Sequence, residues 1–175
     1  VLVIETGVTV RQEVLAPATQ SQIAELVAGK SAPTEQEISH AAPQTPDKSL
    51  VLLSRIGNTN PLSIDDYISS NGYSALRKAF TIGAEQVIAE VTASGLVGRG
   101  GAAFPTGRKW AAVASQPVKT RYLICNADES EPGTFKDRVL LEGDPFALVE
   151  AMTIAAFATG SQHGYIYLRG EYPRA

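Results

Sequence analysis

Apolar positions run along this chain in two rhythms, and each rhythm marks its own elements. At the start, Val1-Leu2-Val3-Ile4 and Val8-Thr9-Val10 are β-type runs parted at Gly7. A short helical stretch follows, with Thr19 as its cap and Ile23, Leu26 and Val27 on one face. This strand-and-helix piece, residues 1–30, is too small to bury a core of its own. From Ser31 the pattern lapses. Pro33, Pro43 and Pro46 stand among Ser, Thr, Gln and Glu, so residues 31–49 are expected to form a linker, or an ordered surface loop. His40 lies there without a Cys or carboxylate at ligand spacing and is expected to be solvated.

Residues 50–175 carry the main domain. Val51-Leu52-Leu53 is a short apolar run, and Asn58 to Pro61 is turn chemistry. Ser63 is a good N-cap, with Asp65 and Asp66 in the first turn and Ile64, Tyr67 and Ile68 as the buried face. Asn71-Gly72 closes that helix. A second helix places Leu76, Ala79 and Phe80 inward, with Arg77 and Lys78 outward. A third, Ala84 to Thr92, places Val87, Ile88 and Val91 inward and stops at Gly95. The next helix is expected from Thr106, as N-cap, through Trp110 to Val113.

The rhythm then shortens. Arg121 to Asn126 reads as a buried strand. A long loop spans Ala127 to Asp144. Asp144 and Pro145 supply an N-cap and N1 pair for a helix that is apolar nearly all round, Pro145 to Thr159, closed by Gly160. Tyr165-Ile166-Tyr167-Leu168 is the following strand, and His163 before it falls in a turn. Strand, helix, strand at this spacing predicts a parallel βαβ unit. Long loops at the carboxyl ends of parallel strands are where α/β proteins hold ligands. Trp110, Tyr165 and Tyr167 are expected in the core.

Composition narrows this picture in a few places. The chain has 175 residues, a formal net charge of -3, 44% hydrophobic and 19% charged residues. That profile implies no basic face for nucleic acid at the level of the whole chain. No apolar run reaches the length of a membrane span, and the first residues lack the basic segment of a signal peptide. The single Cys, Cys125, can form neither an intrachain disulfide nor a four-cysteine cluster, and a reducing, cytoplasmic setting is expected. Within a strand, Cys125 reads as a small buried hydrophobe. The only Met is Met152, so the chain is expected to be processed or to be a piece of something longer.

The densest chemistry lies in Gly98-Arg99-Gly100-Gly101-Ala102-Ala103-Phe104-Pro105-Thr106-Gly107-Arg108-Lys109-Trp110. Glycines let backbone approach a ligand, and free N–H groups leading into a helix N-terminus make an anion site. Gly98 to Ala103 formally fits G-x-G-x-x-A, but that fingerprint needs a strand directly before it. Here a helix precedes it, and Pro105 disfavours an α conformation at Phe104. The loop therefore reads as a cradle for a phosphorylated, flat cofactor outside the dinucleotide fingerprint, with Phe104 placed to pack on a ligand ring. The second motif, Asn126 to Glu131, holds one amide and the acids Asp128, Glu129 and Glu131. Such a turn can bind a divalent metal, grip ribose or ribityl hydroxyls, bond flavin ring N–H groups, or stand solvated. Hydroxyl recognition fits best beside a loop that already supplies phosphate contacts, and no metal is expected.

The stretches GLVGRGGAAFPTGRKW, ICNADESEPGTFKDR and LLEGDPF resemble the NADH-binding FMN subunit of NADH dehydrogenases. That family includes the flavin subunit of respiratory complex I, the diaphorase subunit of NAD-reducing hydrogenases and the β subunit of soluble NAD-dependent formate dehydrogenases. NPLSIDDYISSNGYSALRKAF and EGDPFALVEAMTIAAFATGSQHGYIYLRGEYPRA look closest to the formate dehydrogenase branch. The resemblance covers residues 50–175. Residues 1–49 resemble more loosely the tail of a thioredoxin-like domain and its linker.

The resemblance implies an α/β fold, the N-terminal part of a non-classical Rossmann-like FMN-binding domain with a helical lead-in and at least one βαβ unit. It implies that Gly98, Arg99, Gly100 and Lys109 line FMN, that Asn126 and Asp128 hydrogen-bond the flavin, and that Glu129 and Ser130 stand close by. Gly101, Ala102 and Phe104 would contact NADH, with Glu131 near its nicotinamide. Hydride would pass from NADH to FMN without a catalytic side chain. Partners would be NADH and the other subunits of an iron–sulfur electron-transfer complex, with no nucleic acid and no direct membrane insertion. Ala111 and Ala112 stand where the family often has an aromatic against adenine. The family's later pocket residues and its [4Fe-4S] cysteines are expected only in a full-length protein. Two other readings are a non-catalytic assembly piece and a subunit of an ion-pumping ferredoxin:NAD oxidoreductase.

Overall fold

A computed structural model describes residues 2–6, 11–15, 20, 21, 24, 28 and 50–175. The chain divides into two units, Val1–Ala42 and Pro43–Ala175. In the first, β1 (Leu2–Thr6) and β2 (Arg11–Leu15) form an antiparallel pair with Leu2 opposite Leu15 and Thr6 opposite Arg11. The second strand thus lies beyond the Val8–Val10 run expected from the sequence. Arg11-Gln12-Glu13 has little β-propensity, so pairing with β1 rather than residue type selects it. Val8–Val10, the Thr19 cap with Ile23, Leu26 and Val27, and the linker 31–49 with His40 lie outside the described residues.

The second unit begins with three helices. In α1 (Ile64–Ser69), Ser63 Oγ accepts the Asp66 N–H at 3.1 Å, as its type predicts. Only Tyr67 is buried, whereas Ile64 and Ile68 stay 47% and 44% exposed. A helix of six residues presents just one position squarely to the core. The next two are α2 (Ser74–Ile82) and α3 (Ala84–Ala93). Ala79 and Val87, with Ala158, are the buried centre, and Ile82, Ile88, Val91, Trp110, Ile154 and Phe157 pack around it. Phe80, expected inward, is 56% exposed and sets its ring edge-on to Phe157, centroids 4.9 Å apart.

The remaining elements are α4 (Thr106–Ala114), β3 (Tyr122–Ala127), α5 (Lys136–Gly143), α6 (Pro145–Thr159) and β4 (His163–Leu168). Helix α6 is the hub: it touches every other helix from α2 to α5 and both strands of the sheet. An apolar surface on nearly all sides suits that place. Gly160 closes it at φ 69. β3 and β4 pair in parallel, Tyr122 beside His163 and Ala127 beside Leu168, so the βαβ unit is present.

The fold departs from the sequence expectation at three places. His163 opens β4 and stacks on Tyr122, centroids 5.4 Å apart, instead of lying in a turn. Tyr165 and Tyr167 are 57% and 64% exposed. Period-2 alternation puts them with Tyr122, Ile124 and Asn126 on one sheet face, while α6 packs on the other. Finally, the stretch from Ala127 to Asp144 is not all loop, because α5 occupies its second half.

Arg121 fixes the direction of this layer. Its guanidinium donates to Thr159 O at 2.7 Å and Gln116 O at 2.6 Å. It therefore sits on the C-terminal ends of α6 and α4 together, where the helix dipoles favour a cation.

Candidate functional site

The glycine-rich segment is a closed loop. Val97 bridges Pro105, Gly98 N–H donates to Phe104 O at 2.9 Å, and Thr106 N–H donates to Leu96 O at 2.8 Å. That last bond makes Thr106 the first residue of α4 rather than its cap. Pro105 takes the cap position, with no capping side chain. Within the loop Gly101 has φ 93 and Ala103 φ 49. A non-glycine residue in the left-handed region carries strain, here shared with Asn71 and Tyr73 at helix ends and Glu129 in the acidic turn.

The glycines divide by what surrounds them. A Cβ on Gly107 would lie 2.1 Å from Thr92 Oγ1 and 2.6 Å from Thr92 Cα, so this glycine lets α4 approach α3. A Cβ on Gly72 would strike the Tyr67 ring. A Cβ on Gly100 or Gly101, by contrast, would meet nothing within 4 Å beyond its chain neighbours, and one on Gly98 would make only ordinary contacts with Phe104. Packing of this chain does not call for a missing side chain at Gly100. The space is open to a group brought from outside.

Charge points the same way. Between Glu90 and Asp128 the sequence holds no acid but carries Arg99, Arg108, Lys109, Lys119 and Arg121. Among the described residues Arg99, Arg108 and Lys109 pair with no carboxylate. Arg108 and Lys109 lie in the first turn of α4, against its dipole, which a bound anion would reverse. Arg108 stands over the half-exposed Phe104 ring, 5.7 Å from its centroid. Ala102 is exposed beside it.

The second motif starts where β3 ends. Asn126 Oδ1 accepts the Asp128 N–H at 3.2 Å, and Ser130 Oγ donates to Asp128 Oδ2 at 2.6 Å. Asn126, Ser130 and Glu131 are exposed and Asp128 is half-buried. Glu129 is placed differently. Its side chain is wholly buried, at φ 39, and accepts from Asp137 N–H at 2.8 Å, Arg138 N–H at 3.1 Å and the Tyr172 hydroxyl at 3.0 Å. Lys136 Nζ lies 3.5 Å away. Burial alone would raise its pKa, but the two backbone donors, the Tyr172 hydroxyl and the Lys136 charge outweigh burial and hold it below the ordinary carboxylate range. Glu129 thus caps α5, which has no capping side chain of its own. The acids of this turn do not converge, and among the described residues no cluster of three His, Cys, Asp or Glu could hold a metal ion.

Several residues that organise this region are not evident from motif or spacing. Glu150 is buried within α6 and accepts the Tyr67 hydroxyl, Tyr73 N–H at 2.7 Å and Leu76 N–H at 2.9 Å, capping α2. Its signal was present as the single charge in Pro145–Thr159. Asp144 does not cap α6 with its side chain. It pairs with Arg55 at 2.8 Å, and Pro145 alone starts the helix. Burial, then the Asp137 charge, pushes the Cys125 thiol up, which suits a packing role rather than a nucleophile.

The second unit thus combines helices with a small parallel strand pair, a glycine-rich loop and an acidic turn. Residues 91–175 match the family described as the Nuo51 FMN-binding domain. The chain is 51% identical over 123 residues to an NADH-quinone oxidoreductase subunit of Aquifex aeolicus, covering 70% of this chain and 29% of that protein. It is 47% identical over 136 residues to the NADP-reducing hydrogenase subunit HndC of Solidesulfovibrio fructosivorans, covering 77% and 28%. Among solved structures, an NAD+-reducing [NiFe]-hydrogenase in the air-oxidized state superposes with a TM-score of 0.50 at 50% identity, over 51% of this chain and 16% of that one. The chain therefore spans less than a third of the length of these relatives.

Proposed function

We propose that this chain supplies one wall of an FMN site facing NADH, in the flavin subunit of an NADH:acceptor oxidoreductase. The observation that carries the reading is the open space at Gly100 and Gly101, in a segment whose Arg99 and Lys109 pair with no carboxylate among the described residues. That arrangement suits a phosphate and a flat ring approaching bare backbone. When bound, FMN supplies the redox chemistry that takes a hydride from NADH and gives up electrons singly.

The chain's own residues bind and orient. Arg99 and Lys109 offer charge to the phosphate. Asn126, Asp128 and Ser130 offer an amide, a carboxylate and a hydroxyl to ribityl and ring groups. Gly101, Ala102 and the exposed face of Phe104 receive the nicotinamide dinucleotide, and exposed Glu131 stands at the mouth. No side chain needs to move a proton. The Rossmann-like reading of the sheet rests on the parallel β3–β4 pair with the acidic turn at its carboxyl end. Electrons would leave to iron–sulfur partner subunits, in a reducing, cytoplasmic compartment suited to the free thiol of Cys125. The resemblance of residues 50–175 favours a formate dehydrogenase branch among the acceptor modules.

The test is to purify the protein, measure flavin by its visible absorbance, and assay NADH-dependent dye reduction by the full-length gene product. Bound FMN and reduction support the reading, and well-folded protein lacking both sinks it. A second reading has its own observation: the face bearing Tyr122, Ile124, Tyr165 and Tyr167 is exposed. On that reading this chain serves as a non-catalytic binding piece. FMN retained by the 175-residue chain through gel filtration would contradict it.

A further inference from the structure

We propose that Glu129 is the positioning residue of the acidic turn, holding Asn126 to Glu131 in its ligand-binding shape from behind. The proposal rests on the flavin reading above. Glu129 faces away from any ligand, since its carboxylate is fully buried and shared among Asp137 N–H, Arg138 N–H, the Tyr172 hydroxyl and Lys136 Nζ. Its main-chain carbonyl is held too, by Arg169 Nη1 at 3.2 Å. One residue in a left-handed conformation is thus pinned at both ends, by α5 on one side and the 169–172 segment on the other.

The residues on either side of it bear the candidate ligand contacts. Half-buried Asp128 and exposed Ser130 are joined to each other, so the anchored residue between them sets where both stand. The chain beyond contains Pro132 and Gly133 (φ 80) and offers no regular structure until Lys136. Releasing Glu129 would free the turn without touching any group that meets the cofactor. Tyr172 strengthens the hold, since Arg138 and Arg169 stand over its ring at 5.7 and 5.8 Å.

The fold contains its own control. Glu150 has the same architecture, a buried glutamate with two backbone N–H groups of a helix start and a tyrosine hydroxyl. It caps α2, away from the turn. The experiment compares Glu129→Gln, Tyr172→Phe and Glu150→Gln by melting temperature, amide hydrogen exchange of residues 126–131 without cofactor, and FMN affinity by flavin fluorescence well below melting. Glu129→Gln should speed exchange of the turn and weaken FMN binding by about tenfold or more. Tyr172→Phe should do the same to a smaller degree, and it stands in for Glu129→Gln if that variant fails to fold. Glu150→Gln should lower the melting temperature while leaving turn exchange and FMN affinity unchanged. Unaltered FMN affinity in folded Glu129→Gln, or an equal loss in Glu150→Gln, would overturn the proposal. If the wild-type protein binds no FMN, the flavin reading falls. The positioning role is then judged by exchange alone, and unchanged exchange in Glu129→Gln overturns it.

Discussion

The Tyr67 hydroxyl donates to Glu150, and this one bond joins the first helix of the second unit to its central one across 83 positions of sequence. Both residues are buried, Tyr67 to 2% exposure. Burial, and then the Glu150 carboxylate, pushes the Tyr67 hydroxyl well above its ordinary range, so it remains the donor. Tyr73 and Leu76 supply the other donors, and Arg55 covers the Tyr67 ring at 5.0 Å. Removing the hydroxyl with Tyr67→Phe should cost about 1–3 kcal/mol, because it withdraws a donor from a buried charged acceptor. Urea unfolding of the two proteins measures it, and a cost near zero would show that the bond is not made.

Two glycines of the same stretch should behave oppositely. Gly107→Ala gains helix propensity of about 1 kcal/mol but forces a methyl onto the backbone of Thr92. Overpacking of that kind costs about 1–3 kcal/mol, so the net change runs from about zero to about 2 kcal/mol destabilising. Gly100→Ala meets nothing within 4 Å and should leave stability within about 0.5 kcal/mol. Its methyl would instead occupy the space assigned to the cofactor and weaken FMN binding. Thermal melts paired with flavin titration separate the two. A Gly100→Ala protein that melts early but binds FMN normally would contradict this assignment.

Acid should release Glu129. Its folded pKa lies below the unfolded value, so the stability it contributes is present above the ordinary carboxylate range and is lost as pH falls through the folded value. Stability against pH should therefore decline on the acid side, and Glu129→Gln should flatten part of that decline. Chemical denaturation at a series of acidic pH values checks this. An identical acid limb in both proteins would show that the carboxylate gains nothing from its partners.

Local chemistry was legible wherever one element settles its own fate. Ser63 caps, Gly160 terminates, and the strands around Cys125 and Ile166 pair in parallel as their spacing suggested, although the strand expected to be buried from Arg121 to Asn126 leaves Tyr122 and Ile124 exposed. The glycine loop was recognisable, and so was its approach from a helix. What could not be read depends on residues far apart in sequence. Phe135 and Tyr73 start helices without capping side chains because Glu129 and Glu150 arrive from elsewhere. Asp144 looked like a cap until Arg55 claimed it. Likewise, the four acidic and amide side chains at 126–131 form one block in sequence, yet folding sends Glu129 inward and leaves the others outward. Tyr165 and Tyr167 read as core by residue type, but exposure follows which sheet face α6 covers.

The most direct measurement is FMN binding to the purified protein, followed by quenching of flavin fluorescence, with Gly100→Ala alongside. Wild type should quench saturably and reversibly on dilution, and Gly100→Ala should quench clearly more weakly at equal stability. A folded wild-type protein that leaves flavin fluorescence unchanged would contradict the claim that this loop and turn form a flavin wall.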